Sequence, residues 1–299
     1  MNTIKITPLY DLLTEQHDLS NEKLVYDNYY GMIKTPVNIN VFIGSKCPCN
    51  CKFCFSKDIN KTNEITDDEY IENFEKFFNY HDPKNFEVTI TGGEPTLKCY
   101  RNKLINIMRL CKKLSIKERT FSTLGIGIDH ELVKEMVKNG FIHNINISRM
   151  HYEESLIDFG FPNLQFINKL FMLFKVYGID ARLSCNLITG KIENWKDIKN
   201  YMNFYNKLDI NSFLFREIQN TKIYKENISI QNILYRDILK ERDFKKVNEL
   251  SNEYYVVDIF ANKDLLMKVY NYKGNHVDYI THLVYYEGKM YKNWNRLER

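Results

Sequence analysis

The stretch VNINVFIGSKCPCNCKFC, residues 37–54, decides how the rest of this chain is interpreted. It begins as an apolar run typical of a buried strand and ends in cysteines at the spacing Cys47-x₃-Cys51-x₂-Cys54. Three thiolates on one short loop can bind three irons of a [4Fe–4S] cube and leave the fourth iron without a protein ligand. The loop therefore predicts an iron–sulfur cluster whose open iron binds a small molecule directly.

A second motif ends the next apolar run, where Gly92, Gly93 and Glu94 follow one another. Together with the cysteine spacing, and with Phe53 just before the last cysteine, this stretch resembles the radical S-adenosylmethionine (radical SAM) superfamily. The resemblance implies two cofactors, a [4Fe–4S] cluster and S-adenosylmethionine (SAM). It also implies that one electron from the cluster cleaves SAM to methionine and a 5′-deoxyadenosyl radical, which then takes a hydrogen atom from a substrate.

Short cysteine spacings are also typical of structural zinc sites, which need four ligands. Only Cys49 or the distant His81 is available as the fourth ligand, and the usual second Cys-x₂-Cys pair is missing. A zinc site also leaves the Gly-Gly-Glu stretch without a role. A disulfide framework is disfavoured because the chain has 7 cysteines, an odd number, and several crowd into one loop.

The composition is that of a globular protein of 299 residues with 44% hydrophobic and 27% charged residues. A formal charge of +4 over this length gives no clear nucleic-acid surface. No run approaches the ~18 apolar residues of a membrane span, and the N-terminus lacks a signal-like pattern. We therefore expect no membrane partner and a cytoplasmic location, which also suits an oxygen-sensitive cluster and reduced thiols.

Apolar runs alternate with amphipathic stretches, which predicts successive βα units and a parallel sheet. The predicted strands are Val37–Gly44, Phe86–Thr91, Thr120–Leu124, Ile142–Ser148, Ile179–Leu187 and Ile210–Glu217. The predicted helices are Asp67–Tyr80, Arg101–Leu114, His130–Asn139, Leu164–Tyr177 and Asn194–Asn206. This pattern favours an α/β fold, a partial (β/α)6 barrel with a small C-terminal antiparallel β element.

The chain is predicted to divide into three regions: an N-terminal extension at 1–36, the barrel at 37–220 and a C-terminal cap at 221–299. We expect residues 222–250 to be helical. Runs rich in Val, Ile and Tyr at Tyr254–Phe260, Leu265–Tyr272 and Leu283–Trp294 predict a small antiparallel sheet. Two roles are open for this sheet: it caps the barrel mouth or it positions the substrate. No cysteine follows Cys185, so we expect a single cluster and no Cys-bound auxiliary cluster.

The predicted iron ligands are Cys47, Cys51 and Cys54, whereas Cys49 is out of register with the motif and is expected to be an incidental thiol. The other three cysteines lie in apolar stretches, where a thiol behaves as a small hydrophobe. They are Cys99, Cys111 and Cys185.

The remaining site residues lie at strand ends. The resemblance implies that Phe53 contacts the adenine, that Glu94 binds the methionine ammonium, and that Gly92 and Gly93 allow close backbone approach. Three polar residues are expected to contact SAM, with Ser148 assigned to the ribose: Ser122, Ser148 and Asn186. The predicted catalytic residues are Arg149, His151 and Arg216.

Arg216 has two open interpretations: an ion pair with its neighbour Glu217, or a forked bond to a carboxylate of SAM or substrate. For function, a small-molecule or nucleotide substrate ranks ahead of a ribosomally made peptide, because auxiliary-cluster cysteines are lacking. The other alternative is a non-catalytic iron–sulfur or zinc protein. An electron donor such as flavodoxin or ferredoxin is the expected partner.

Overall fold

A computed structural model describes residues 3–4, 23–24, 37–54, 65–151, 160–218, 228–240, 244–251, 255–262, 265–272 and 282–291. The strands in chain order are β1 (Thr3–Ile4), β2 (Lys23–Leu24), β3 (Val37–Phe42), β4 (Phe86–Thr91), β5 (Arg119–Thr123), β6 (Ile145–Ser148), β7 (Ala181–Asn186), β8 (Ser212–Arg216), β9 (Lys245–Ser251), β10 (Tyr255–Asn262), β11 (Leu265–Tyr272), β12 (His282–Tyr286) and β13 (Lys289–Tyr291). The α-helices are α1 (Asp67–Phe77), α2 (Arg101–Lys113), α3 (His130–Lys138), α4 (Leu164–Val176), α5 (Trp195–Asn206) and α6 (Ile230–Arg236). Among these helices, none is long and apolar enough to cross a membrane.

The chain divides into two compact units, each built from separate segments. Unit 1 takes in residues Met1–Cys47, Ser56–His143 and Val277–Arg299, and unit 2 takes in Pro48–Phe55 and Asn144–His276.

In unit 1 the strand order is β13-β12-β3-β4-β5. Strands β12, β3, β4 and β5 are parallel, and β13 closes an antiparallel hairpin onto β12. Helix α1 packs its buried aromatic rings against β12, where Tyr70 and Phe74 contact Tyr285 at centroid distances of 4.7 and 4.8 Å. The short β1 and β2 form a separate parallel pair.

In unit 2 the strand order is β6-β7-β8-β11-β10-β9. Strands β6, β7, β8 and β11 are parallel, and β11, β10 and β9 are antiparallel. One face of this sheet is apolar and covered by helices: Leu183 and Phe213 are fully buried, and the ring of Tyr201 on α5 contacts Phe213. The opposite face is polar, which places the candidate site residues there.

The helix boundaries follow local capping signals in the sequence. Thr66 caps α1, and its hydroxyl accepts from the Glu69 N–H while the Glu69 carboxylate accepts from the Thr66 N–H. Asp129, Asn163 and Asn194 cap α3, α4 and α5 through their side-chain oxygens. These caps satisfy backbone N–H groups that have no partner inside the helix.

The six predicted barrel strands and five predicted helices are confirmed, with ends that differ by a few residues. The antiparallel C-terminal element is confirmed in β9, β10 and β11. The expectation of a separate small sheet is wrong, because β12 pairs with β3 and β11 pairs with β8 in parallel. The helix predicted over 222–250 is also wrong in part, since Lys245–Ser251 is strand β9. The N-terminal extension lies almost wholly outside the described residues.

Candidate active site

The two sequence motifs are joined by backbone hydrogen bonds within unit 1. The Gly93 N–H donates to the Gly44 carbonyl at 2.7 Å, and the Glu94 N–H donates to the Lys46 carbonyl at 2.9 Å. Lys46 directly precedes Cys47. The Gly-Gly-Glu stretch therefore holds the first part of the cysteine loop in place.

The glycines are required by this close approach. A Cβ on Gly93 would lie 2.5 Å from the Lys46 carbonyl oxygen, and Gly92 has a φ of +155° with a Cβ position 2.9 Å from the Gly44 oxygen. Gly44 lies against the ring of Tyr100, whose hydroxyl accepts from the Lys46 N–H at 2.9 Å. The predicted close backbone approach is thus present, and its partner in this structure is the cysteine loop.

The Glu94 side chain is fully buried, with 0% of its surface exposed, and its carboxylate is surrounded by donors. Oε1 accepts from the Thr96 N–H at 3.0 Å and from the hydroxyls of Thr96 and Thr123, each at 2.5 Å. Oε2 accepts from the Leu124 N–H at 2.6 Å. A buried carboxylate of this kind needs such donors to offset its loss of hydration.

The two threonine hydroxyls extend the network around Glu94 to the loop after β5. The Gly125 N–H donates to Thr123 Oγ1 at 2.8 Å, and the Gly127 N–H donates to Thr96 Oγ1 at 3.0 Å. These contacts hold the Glu94 carboxylate in position, and its contact with the methionine ammonium stays a prediction.

The residue types of the cysteine loop fit an iron–sulfur cluster. Cys51 is buried, and Cys47, Cys54 and Phe53 are half-buried. The Cys54 N–H donates to the Cys51 carbonyl at 3.3 Å. Within the described residues, no three His, Cys, Asp or Glu side chains are gathered closely enough to hold a single metal ion. A [4Fe–4S] cube requires a different arrangement, because each thiolate binds its own iron.

The other cysteines have distinct surroundings. The Cys49 thiol donates to the Gly160 carbonyl at 3.2 Å within unit 2, which suits its expected role outside the ligand set. Cys111 and Cys185 are fully buried, and burial raises the pKa of the Cys111 thiol to about 12. The expectation for Cys99 is wrong, because this residue is exposed in the short 3₁₀ turn that precedes α2.

Three predicted residues lie on the polar face of unit 2. Ser148 on β6 pairs in register with Ser184 on β7, and Asn186 pairs with Arg216 on β8. The Arg216 Nη2 donates to the Ser184 hydroxyl at 2.6 Å. In unit 1, Ser122 is half-buried on β5, on the face opposite the fully buried Phe121.

Arg149 and His151, two of the predicted catalytic residues, are both hydrogen-bonded to Tyr205 on α5. The Arg149 Nε donates to the Tyr205 hydroxyl at 2.7 Å, and its Nη1 donates to the Pro162 carbonyl. The Tyr205 hydroxyl, whose pKa is raised to about 12 by burial, donates to the His151 carbonyl at 2.8 Å. These contacts fix the Arg149 guanidinium beside α4 and α5, and the catalytic roles of Arg149 and His151 stay predictions.

Several residues that shape this region were missed by the sequence interpretation: Thr96, Tyr100, Arg182 and Lys268. Thr96 alone carries a local signal, since it lies two residues after Glu94 and can bond back to it. Tyr100 meets Lys46 across 54 residues of sequence, and strand pairing places Arg182 and Lys268, so no local pattern indicates any of the three.

The comparisons with known proteins agree with this arrangement. The family described as Radical SAM superfamily matches residues 41–205, more than half of the chain. The chain therefore belongs to the radical SAM superfamily, whose members are enzymes that use a [4Fe–4S] cluster and SAM. A comparison with curated protein sequences found no match.

Solved structures share the α/β fold at low sequence identity. Streptococcus suis SuiB bound to S-adenosylmethionine aligns with a TM-score of 0.52 and 20% identity over 67% of this chain and 46% of that chain. SuiB bound to its precursor peptide SuiA aligns with a TM-score of 0.52 and 21% identity over 67% of this chain and 44% of that chain. Native anSMEcpe with bound AdoMet aligns with a TM-score of 0.51 and 17% identity over 68% of this chain and 62% of that chain. The chain thus spans less than half of the length of SuiB.

Proposed function

We propose that this chain is an enzyme that cleaves SAM reductively to a 5′-deoxyadenosyl radical and abstracts hydrogen from a small-molecule or nucleotide substrate. The observation that carries the proposal is the hydrogen-bonded junction of Gly44–Lys46 with Gly92–Glu94. Within unit 1, it holds the Gly-Gly-Glu motif against the residues that lead into Cys47, the first of the three proposed cluster ligands. When bound, the cluster supplies the electron that breaks the sulfonium bond.

In this proposal each side chain has a defined task. Cys47, Cys51 and Cys54 provide thiolates to three irons, and Phe53 packs against the adenine. The backbone of Gly92–Glu94 faces the methionine part, held there by the buried Glu94 carboxylate. Polar contacts to SAM come from Ser122, Ser148 and Asn186.

His151 and Arg216 are the residues that we propose to act on the substrate. Arg216 lies on the polar face of unit 2, while His151 is held through its carbonyl by Tyr205. A flavodoxin or ferredoxin in the cytoplasm is the proposed electron donor, because the cluster must be reduced one electron at a time. We propose one cluster in this chain, since no cysteine follows Cys185.

The second candidate function is maturation of a ribosomally made peptide. It is worth testing because SuiB, which shares the fold, was solved with its precursor peptide SuiA. At 21% identity the likeness extends to the fold alone, so the substrate classes have to be separated by experiment. A rise in 5′-deoxyadenosine formation on adding a nucleotide or metabolite fraction supports the first candidate, and a rise with a peptide fraction supports the second.

The central test is 5′-deoxyadenosine formation by anaerobic, cluster-loaded protein after reduction with dithionite. We expect product from the wild type and from Cys49→Ala, and none from Cys51→Ala, which makes the same change on the same loop. Iron-loaded wild type that forms no 5′-deoxyadenosine contradicts the proposal and favours the non-catalytic iron–sulfur alternative. Zinc in place of iron in anaerobic metal analysis contradicts it as well.

A further inference from the structure

Among the described residues of β6, β7, β8 and β11, three cationic side chains lie on the polar face of unit 2. The strand register places Ser148, Ser184, Leu214 and Lys268 side by side across β6, β7, β8 and β11. Arg182 lies two residues before Ser184, and Arg216 lies two residues after Leu214, so both share this face. Arg182, Arg216 and Lys268 therefore place positive charge on one side of the sheet.

The two arginines on this face donate hydrogen bonds to neutral acceptors. The Arg182 Nε donates to Asn146 Oδ1 at 2.7 Å, and its Nη1 donates to Asn144 Oδ1 at 3.2 Å. Among the described residues, Arg216 donates a side-chain hydrogen bond to the Ser184 hydroxyl, and its buried Nε has no acceptor there. A guanidinium with a buried and unsatisfied N–H is costly, and an added acceptor would remove that cost.

Glu217, the residue next to Arg216 in the sequence, has a hydrogen-bond partner other than Arg216. Glu217 Oε1 accepts from the Ile230 N–H at 2.6 Å, at the beginning of α6. Neighbours on a strand also point to opposite faces of a sheet. The structure therefore does not support the self-paired Arg216–Glu217 ion pair that was one of the two interpretations of the sequence.

The ammonium group of Lys268 lies near a second positive charge on this face, that of Arg182. Burial lowers the pKa of its ammonium, and the charge of Arg182 lowers it further, while Asp180 at the start of this strand region acts in the opposite direction. The positive charges of Arg182 and Lys268 thus repel each other, and a bound anion would relieve that repulsion.

We propose that this face binds an anionic group of the substrate, a carboxylate or a phosphate, through Arg216 with Lys268 beside it. The proposal rests on the proposed function and narrows its substrate class to acidic small molecules or nucleotides. A half-exposed guanidinium on the end of β8 can turn to present two parallel N–H donors to such a group, which is the geometry that carboxylates and phosphates accept best. Arg182, deeper on the same face, holds the polar network and is not itself a contact.

The first test uses inorganic phosphate and acetate as probes on the full chain, at constant ionic strength with chloride as the reference anion. Thermal unfolding is measured for wild type, Arg216→Gln, Arg216→Lys, Lys268→Gln and the control Lys175→Gln, a lysine that is 76% exposed and pairs with Asp209 at the surface. We expect the probes to stabilise wild type and Lys175→Gln alike. Apparent affinity should fall about tenfold or more in Arg216→Gln and less in Arg216→Lys and Lys268→Gln. Equal stabilisation of all five proteins overturns the proposal.

A second measurement separates the substrate anion from the carboxylate of SAM. SAM is titrated into cluster-loaded wild type and Arg216→Gln, and we expect affinities within about twofold of each other. Loss of SAM affinity together with unchanged phosphate and acetate binding would assign Arg216 to the cofactor and overturn the proposal. Anion binding that depends on Arg216, in a wild type that forms no 5′-deoxyadenosine, would support this site while contradicting the proposed function.

Discussion

At the scale of single residues, the Glu94 carboxylate is held in place by the hydrogen-bond donors that surround it. Its carboxylate lies in unit 1 between the loop after β4 and the loop after β5, and Thr96, Thr123 and Leu124 supply the hydrogen bonds. A carboxylate can accept at both oxygens, whereas an amide accepts at one and donates at the other. This difference gives a direct test of the positioning role.

Glu94→Gln is expected to lower the free energy of unfolding by about 1–3 kcal/mol, because the amide N–H₂ would face the Leu124 N–H. Glu94→Ala should cost more, since it leaves both threonine hydroxyls and two backbone N–H groups without their acceptor. Urea unfolding of cluster-free protein measures both, with the exposed Glu118→Gln as control. A contact with the methionine ammonium alone would instead leave the unfolding free energy unchanged and lower only SAM affinity.

The cysteine loop gives a second prediction at this scale. Anaerobically prepared protein should contain about four irons per chain, because three ligands fit one cube. Replacing Cys47, Cys51 or Cys54 with Ala should remove the iron, while Cys49→Ala should keep it and lose only the bond to Gly160. Iron and sulfide analysis measures this. Seven or eight irons, or loss of iron from Cys49→Ala, would show that the ligand set is wrong.

At the scale of elements, the loop after β4 depends on glycine for its contact with the loop after β3. Gly93→Ala should destabilise the protein by about 2 kcal/mol or more, because the new methyl group would lie 2.5 Å from the Lys46 carbonyl oxygen and 2.6 Å from that of Ser45. It should also lower iron retention by displacing the residues before Cys47.

The matched control for this substitution is Gly178→Ala. Gly178 has a φ of +66° with no atom within 4 Å of the added Cβ, so the change costs only about 1 kcal/mol of backbone strain. Thermal unfolding measures the stability of both variants. Equal unfolding temperatures for Gly93→Ala and Gly178→Ala would mean that the loops after β3 and β4 can move apart at no cost.

Helix α3 offers a prediction on pH. Arg101 donates to both carboxylate oxygens of Asp129, at 2.8 and 2.6 Å, and this hydrogen bonding lowers the pKa of the N-cap carboxyl to about 2. A depressed pKa in the folded state stabilises the protein above the unfolded value of about 3.9, and that contribution is lost as the pH falls through about 2.

Arg101→Gln should therefore move the Asp129 titration upward toward its ordinary range. Carboxyl-carbon NMR follows this titration directly between about pH 1.5 and 5, a window that spans both the lowered and the ordinary pKa of an aspartate side chain. The stability change should be small, because the Asp129 side chain is 51% exposed and solvent screens the pair. An unchanged titration midpoint in the variant would assign the depressed pKa to the helix cap instead.

At the scale of the whole molecule, unit 1 is completed by a strand from far along the chain. The Tyr285 hydroxyl on β12 donates to the Tyr70 carbonyl at 2.5 Å, across a separation of 215 residues. The ring is fully buried between β12 and α1. The barrel core of this unit is therefore complete only when the C-terminal segment is in place.

Tyr285→Ala should lower the free energy of unfolding by about 3–5 kcal/mol through the cavity it leaves, and Tyr285→Phe by about 1 kcal/mol through the lost hydrogen bond. Denaturant unfolding compares both with Tyr80→Phe, since Tyr80 is 45% exposed. Tyr285→Ala behaving like this control would mean that β12 folds independently of β3 and α1.

Much of the fold could be predicted from spacing in the sequence. The alternation that predicts Phe86–Thr91 as a strand and the 3.6-residue pattern of His130–Asn139 are local properties, and both elements formed nearly as predicted. The segment Lys245–Ser251 was mistaken for helix because its charged residues show no clear strand alternation. It is a strand because β10 pairs with it.

The sequence by itself determined the cysteine spacing, the Gly-Gly-Glu stretch and the βα alternation, and with them the superfamily. These are features of neighbouring residues, so a local pattern suffices to indicate them. Only the tertiary structure decided which partner each polar group meets: Glu94 meets Thr123, Arg149 meets Tyr205, and Arg216 meets Ser184 rather than Glu217. The physical reason is that parallel strands pair through long crossovers, so register and packing bring together residues that no local pattern connects.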